Sequence, residues 1–193
     1  GDYDALDRAI KENTRFIFSE SPTNPYLNVF DLVLLKKIAD KHHVLTLIDS
    51  TIATSINQRP LEYGIDLVTH SGTKYLSGHN DILAGVVLGS TELITPIRSL
   101  HKSMGGLIDA HCCYLLLRGI KTFPMRVERQ NATALEVAKF LECHPAVERA
   151  YYPFLESHQH YSIAKEQMTG GGCVVTFIMK GGLEDANRFM DSL

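Results

Sequence analysis

Hydrophobic residues occur along this chain in two kinds of pattern, short apolar runs and longer runs with helical spacing. The short runs hold β-branched and aromatic residues and end at turn-forming residues, which is typical of strands. The first four predicted strands are Arg15–Ser21, Val44–Asp49, Asp66–Ser71 and Gly85–Ser90. Between the first two, Leu32, Leu35 and Ile38 share one helical face, so residues 30–43 are predicted to form an amphipathic helix.

The rest of the chain is dominated by helical patterns, with two more strands near its end. The predicted elements are helices over 91–103, 109–123, 125–143 and 160–168, strands over 148–153 and 173–179, and a last helix from Leu183. Strands that alternate with helices predict an α/β protein with a mostly parallel sheet. A break near Pro124 predicts two domains, residues 1–124 and an incomplete smaller unit over 125–193. The apolar run Tyr114–Leu117 is predicted to belong to the core.

The composition argues against several classes of function. The chain has 193 residues, of which 45% are hydrophobic, and a formal net charge of −3, which fits a soluble globular protein. This charge gives no electrostatic basis for binding nucleic acid or an anionic membrane, and no apolar run approaches the roughly 20 residues that span a bilayer. The four cysteines have no disulfide-framework or C-x-x-C spacing, so a reducing compartment such as the cytoplasm is expected.

Polar motifs follow three of the predicted strands. "SPTNP" (Ser21–Pro25) follows the first strand, Asp49 ends the second, and "HSGTK" (His70–Lys74) ends the third. The carboxyl ends of parallel strands meet at one edge of a sheet, where ligands bind in open α/β folds. We therefore expect the amide of Asn24, the carboxylate of Asp49, and the hydroxyls and amine of the third motif to surround one crevice.

Pyridoxal 5′-phosphate (PLP) is a cofactor whose needs match this set of groups. Its aldehyde requires an amine for a Schiff base, which Lys74 supplies. Its phosphate requires hydrogen-bond donors such as the hydroxyls of Ser71 and Thr73. Its pyridine nitrogen requires an acid, here Asp49, so that the ring draws electrons from the substrate. Asn24 is expected to donate a hydrogen bond to the ring's phenolic oxygen.

Each motif taken alone also has an ordinary structural explanation. A lysine in a serine- and glycine-rich loop is usually solvated, and an aspartate at a strand end is usually a cap or turn residue. A lyase that forms a Schiff base on Lys74 without a cofactor is a further alternative, and it would not need Asp49. His158 and His160 form a His-x-His pair without a third ligand nearby in the sequence, so no metal site is predicted.

Longer segments resemble a known family. The segment "DLVTHSGTKYLSGHNDILAG" (Asp66–Gly85) is similar to the lysine region of the Cys/Met-metabolism enzymes that use PLP, and "ESPTNP", "IDSTIATSINQRPLEYGID" and "LLLRGIKTFPMRVERQNA" are similar to other family segments. The resemblance runs from about Phe16 to the last residue. The family usually has alanine where Gly72 stands, which is a mild departure.

The resemblance implies a fold and roles for the site residues. The fold is the type I aminotransferase-like one, with a large cofactor domain and a smaller C-terminal domain. Lys74 would form the internal aldimine and carry protons, and Asp49 would pair with the pyridinium. Ser71 and Thr73 would bind the phosphate, and Asn24 would contact the ring oxygen.

The resemblance also implies what accompanies this chain. The family acts on small amino-acid substrates and usually forms a homotetramer of tight dimers. Its remaining phosphate-binding residues lie before Gly1, and its carboxylate-binding arginine lies beyond Leu193. The chain is therefore expected to be the central segment of an enzyme about twice as long. The compartment would be the cytoplasm, or a plastid if the source is a plant.

The reaction is expected to be a γ-replacement that joins activated homoserine to cysteine, as in cystathionine γ-synthases. "SGHNDILAG" favours this reaction, since lyases of the family often have serine where Asn80 stands. The alternatives are cystathionine γ-lyase, cystathionine β-lyase and methionine γ-lyase. An alternative of another class is a truncated remnant that keeps the fold without catalysis.

Overall fold

A computed structural model describes residues 2–192, so Gly1 and Leu193, the outer ends of the two predicted domains, lie outside it. Its larger sheet has four strands in the order β1-β2-β3-β4. These strands are β1 (Phe16–Glu20), β2 (Leu45–Asp49), β3 (Leu67–Ser71) and β4 (Gly85–Gly89). The first three are parallel, and β4 is antiparallel to β3. All four predicted strands and the α/β class are confirmed.

Eight α-helices connect and cover the strands in residues 2–192. They are α1 (Tyr3–Ala9), α2 (Leu32–Lys41), α3 (Thr54–Asn57), α4 (Thr91–Met104), α5 (Ala110–Ile120), α6 (Phe123–Glu142), α7 (Tyr161–Gln167) and α8 (Leu183–Asp191). A 3₁₀ turn covers Pro60–Tyr63, and a π-helical turn covers Gly72–Leu76. The predicted break near Pro124 is the start of α6, where proline occupies the first turn and needs no backbone N–H partner.

The core beside the larger sheet lies under α2. Asp31 caps this helix by accepting a hydrogen bond from the backbone N–H of Leu34 at 2.9 Å. Leu32 and Leu35 are fully buried, and Ile38 is 8% exposed, so the predicted apolar face is confirmed. These leucines pack with Ile48 of β2 and with residues around β3, which fixes the sheet against the helix.

A second, smaller sheet pairs β5 (Val147–Tyr151) with β6 (Thr176–Met179) in antiparallel orientation. Its core forms where Ala134 and Ala138 of α6 pack on Ala150 and Tyr152. Asn57 and Asn131 join this unit to the larger one by exchanging two side-chain hydrogen bonds, of 3.0 and 2.7 Å. The division of the chain into two domains stays a prediction.

The prediction that Tyr114–Leu117 belongs to the core is wrong for Tyr114 and Leu117, whereas Leu115 and Leu116 are half-buried. Tyr114 is 62% exposed and Leu117 is 65% exposed. The residues from Thr95 to His111 are exposed as well, so α4 and the start of α5 leave their apolar side chains uncovered. Within residues 2–192, no helix is both long enough and apolar enough to cross a membrane.

Candidate functional site

β1 and β2 end level with each other, and β3 runs two residues farther. Glu20, Asp49 and Thr69 are register partners across β1, β2 and β3. The pairing continues past the strand ends, because the N–H of Ser21 donates to the carbonyl of Asp49 and the N–H of Ser50 donates to that of Thr69, each at 3.0 Å. The turns that carry the predicted site residues therefore leave the sheet from one edge.

Thr51 connects the turn after β2 to the turn after β3. Its backbone N–H donates to Oδ1 of Asp49 at 2.9 Å, and its Oγ1 accepts from the N–H of Ser71 at 2.7 Å. Asp49 and Ser71 are both half-buried. The structure thus places the predicted carboxylate and one predicted hydroxyl on two turns that are held together by a single side chain.

The lysine lies on the π-helical turn that follows β3. The N–H groups of Gly72 and Thr73 both donate to the carbonyl of Ala84, at 2.8 and 3.2 Å. Oγ1 of Thr73 accepts from the N–H of Ala84 at 3.0 Å, and the same hydroxyl donates to the carbonyl of Ala84 at 3.4 Å. Lys74 itself has non-helical dihedral angles (φ −87°, ψ −110°) and an exposed side chain.

The amine of Lys74 forms no ion pair with any residue in the range 2–192. π-Helical turns are rare and often occur at functional sites. An exposed lysine without a carboxylate partner, on such a turn, is accessible to an aldehyde.

Asn24 lies at the same edge but farther from the lysine. It is exposed in the turn after β1, where its backbone N–H donates to Oε2 of Glu20 at 3.1 Å. Since β2 lies between β1 and β3, Asn24 is two strands away from the turn of Lys74. The described contacts link Asp49 to Ser71 through Thr51, and Thr73 and Lys74 follow Ser71 on the same turn; none of these contacts includes the side chain of Asn24.

His70, which sequence reasoning passed over, sets the electrostatics beside Asp49. Burial lowers the pKa of His70 below its ordinary value of 6.5, and the nearby Asp49 carboxylate and Ser50 backbone oppose that shift. The imidazole is therefore neutral at neutral pH and does not compensate the charge of Asp49. The carboxylate remains free to pair with a cationic ligand. The sequence indicated the proximity of Asp49 to His70 only by placing both residues near the carboxyl ends of predicted strands.

The donor set of this edge fits PLP. A carboxylate, two hydroxyls and an unpaired amine lie on adjacent turns, and these groups suit the ring nitrogen, phosphate and aldehyde. The Oγ of Ser50, next to Asp49, is buried and has no hydrogen-bond partner within residues 2–192. No cluster of three potential metal ligands occurs among those residues.

An open groove of about 1230 Å³ lies beside the lysine turn. Its lining includes Thr73, Asn80, Asp81 and residues of α4, and it does not include Asp49 or Lys74. The groove is therefore a surface next to the candidate site. The candidate site itself is defined by its carboxylate, hydroxyl and amine groups.

Comparison with known proteins agrees with the α/β fold. The family model for Cys/Met metabolism PLP-dependent enzymes matches residues 1–193. This chain therefore belongs to that family, and the predictions of the family and of its cofactor are confirmed.

Individual relatives have different reactions in their names. Cystathionine gamma-synthase 1, chloroplastic, of Arabidopsis thaliana is 47% identical over 193 residues, covering 100% of this chain and 34% of the relative. L-Methionine gamma-lyase of Pseudomonas putida is 44% identical over 194 residues, covering 100% of this chain and 49% of the relative. The chain thus spans between about a third and about half of the length of these two relatives.

A solved structure confirms the fold. The crystal structure of cystathionine gamma-lyase from Lactobacillus plantarum, complexed with L-serine, matches with a TM-score of 0.91 and 36% identity. The match covers 94% of this chain and 48% of that chain.

Proposed function

We propose that the full-length protein catalyses a PLP-dependent γ-replacement that joins an activated homoserine to cysteine. The observation that carries this proposal is the meeting of Asp49, Ser71 and Lys74 on linked turns at one sheet edge. The identity to a cystathionine gamma-synthase, 47% over the whole chain, supports the choice of reaction. Asn80 in the lysine segment also favours it.

The site residues have distinct roles in this proposal. Nζ of Lys74 attaches the aldehyde and then moves protons at the substrate's α- and β-carbons. The hydroxyls of Ser71 and Thr73 hold the phosphate, and the carboxylate of Asp49 holds the ring nitrogen protonated. When bound, PLP withdraws electrons from the substrate's α-carbon. Asn24 would donate a hydrogen bond to the ring oxygen.

Elimination is the second candidate reaction. An L-methionine gamma-lyase and a cystathionine beta-lyase are each 44% identical to this chain, and the structural neighbour is a cystathionine gamma-lyase. The same lysine and aspartate would serve elimination, which differs from replacement in its products. We further propose a homotetramer of tight dimers in the cytoplasm or in a plastid, which analytical ultracentrifugation and cell fractionation would test.

Absorbance spectroscopy with borohydride reduction tests the cofactor role. The full-length protein with added PLP should show a visible band, and reduction should fix the cofactor on the peptide that contains Lys74. Lys74→Ala should abolish this attachment, whereas Lys37→Ala, an exposed lysine of α2, should not. A folded protein without the band would favour the remnant, or a Schiff-base lyase that needs no cofactor.

Product analysis then separates the reactions. Incubation with an activated homoserine and cysteine should yield cystathionine if replacement is the function. Release of an α-keto acid and ammonia from cystathionine or methionine, without cystathionine synthesis, would contradict our choice and establish a lyase.

A further inference from the structure

The turn that carries Lys74 has an unusual set of carbonyl partners. Gly72 and Lys74 carbonyls accept from the backbone N–H groups of Ser77 and Gly78, at 3.1 and 2.8 Å. The carbonyl of Thr73 accepts from the hydroxyl of Ser77 at 3.0 Å. Because the segment ends after a single helical turn, the carbonyls of Tyr75 and Leu76 have no backbone N–H within it from which to accept a hydrogen bond.

Arg126 of α6 supplies the missing donors. Its Nη1 donates to the carbonyl of Tyr75 at 2.9 Å, and its Nη2 reaches the carbonyl of Leu76 at 3.4 Å. A cationic donor binds a carbonyl more strongly than a neutral one does, and a planar guanidinium can reach two successive carbonyls at once. One side chain therefore completes the backbone hydrogen bonding of the lysine turn.

Arg126 is itself held in place from its own side. Its Nη2 also donates to the carbonyl of Gly119 at 3.0 Å, and its Nε donates to Oγ1 of Thr122 at 3.2 Å. The guanidinium lies 5.9 Å from the ring centre of Phe123. It pairs with no carboxylate among residues 2–192, so its charge is directed at backbone carbonyls.

Two glycines allow this close approach. A Cβ on Gly78, whose φ is +74°, would clash with the guanidinium of Arg126. A Cβ on Gly119 would clash with the backbone of Ser77. The end of α5 and the start of α6 thus form a rigid support directly beneath the turn.

We propose that Arg126 is a positioning residue, which fixes the turn of Lys74 so that the amine faces the edge formed by Asp49 and Ser71. This assignment rests on the proposed role of Lys74 in attaching PLP. Without the guanidinium, the carbonyls of Tyr75 and Leu76 must find water, and the turn will adopt several conformations. Covalent capture of the aldehyde then slows, because the amine spends less time in the reactive orientation.

The test compares Arg126→Ala, Arg126→Lys and Arg129→Ala in the full-length protein. Arg129 is exposed on the same helix and is the matched control. Hydrogen exchange of the apo-protein measures the turn without cofactor. The amides of Ser77 and Gly78 should exchange at least about tenfold faster in Arg126→Ala than in the unsubstituted protein. Unchanged exchange would overturn the assignment.

Capture of PLP on Lys74, followed by borohydride reduction and peptide mapping, is the second readout. Arg126→Ala should capture at least about tenfold more slowly, and Arg129→Ala should stay within about twofold. Guanidinium ion at low millimolar concentration should restore part of the rate, which repair of general instability would not do. Arg126→Lys should remain slow, because an ammonium has no planar fork.

The outcomes distinguish the two proposals. If the unsubstituted protein captures PLP and Arg126→Ala captures it equally fast, only the positioning role fails. If the unsubstituted protein captures none, the proposed function fails, and the positioning role falls with it. If Arg126→Ala does not fold, Arg126→Lys decides, and a normal capture rate in that variant would overturn the assignment.

Discussion

The turn of Lys74 and the neighbouring segment from α4 to α5 differ in how completely the rest of the chain packs against them. The lysine turn is held by Ala84 on one side and by Arg126 on the other, with its carbonyls bonded in sequence. The α4–α5 segment exposes large apolar side chains, among them Leu100 at 60% and Met104 at 77%. The hydrogen bonds of the lysine turn are satisfied by residues of this chain. The α4–α5 segment, in contrast, has the apolar composition of a surface that packs against another surface.

This difference shows that the candidate site and the exposed apolar surface are formed by different parts of the sequence. The polar contacts of the candidate site are completed within the described residues, by side chains such as Thr51 and Arg126 that lie far from their partners in the sequence. Apolar helix faces gain free energy only when something removes them from water. An exposed patch of this kind marks an interaction surface or an aggregation hazard.

Matched leucines give the largest predicted difference. Leu35→Ala should lower the free energy of unfolding by about 2–5 kcal/mol, because Leu35 is fully buried on the inner face of α2. Leu117→Ala should change it by less than about 0.5 kcal/mol, because that side chain is 65% exposed. Urea unfolding of the full-length protein measures both. A large loss for Leu117→Ala would show that another part of the protein or a second copy covers α5.

Matched aspartates separate chemistry from structure. Asp49→Asn should lower turnover by about 10²-fold or more, since a neutral amide cannot hold a ring nitrogen protonated. Asp109→Asn should leave turnover within about twofold, because Asp109 only caps α5 and asparagine is an equally good cap. Steady-state kinetics of the holoenzyme measures both. Full activity of Asp49→Asn would contradict the role assigned to Asp49.

Matched glycines test the support beneath the lysine. Gly119→Ala should destabilise the protein by about 1–3 kcal/mol, because its Cβ meets the backbone of Ser77, which cannot move without moving the turn. Gly85→Ala should be neutral to within about 0.5 kcal/mol, because nothing lies within 4 Å of its Cβ. Thermal unfolding would check the pair, and equal melting temperatures would contradict the close contact.

Lowering the pH should destabilise the buried region around His70 before it affects the exposed α4–α5 segment. Burial lowers the pKa of His70 in the folded state below 6.5, so the unfolded chain binds the proton more readily. This contribution to stability is present above pH 6.5 and is lost as the pH falls below that value. His70→Gln should therefore reduce the loss of stability between about pH 7.5 and 5.5, whereas His111→Gln, on the exposed start of α5, should not. Identical pH profiles for all three proteins would contradict this account.

The sequence predicted what depends on local periodicity and chain order. The apolar spacing of Leu32, Leu35 and Ile38 placed the buried face of α2, and polar motifs after apolar runs placed Asp49 and Lys74 at strand ends. Local patterns carry no information about what a side chain meets far along the chain. Arg126 binds the carbonyl of Tyr75, which lies 51 residues earlier in the chain, and the sequence around Arg126 indicated no such role. The run Tyr114–Leu117 failed for the converse reason, since apolarity does not specify the covering partner.

The contact between Gly119 and Ser77 has a thermodynamic consequence. Gly119 is buried near the end of α5, whose other face is the exposed apolar one, and it touches the turn that carries Lys74. A partner that binds this helix and shifts it by a fraction of an ångström must also shift the turn. Association and cofactor affinity would then be linked reciprocally, each changing the other by the same factor. The cofactor affinity of the proposed oligomer would then depend on protein concentration.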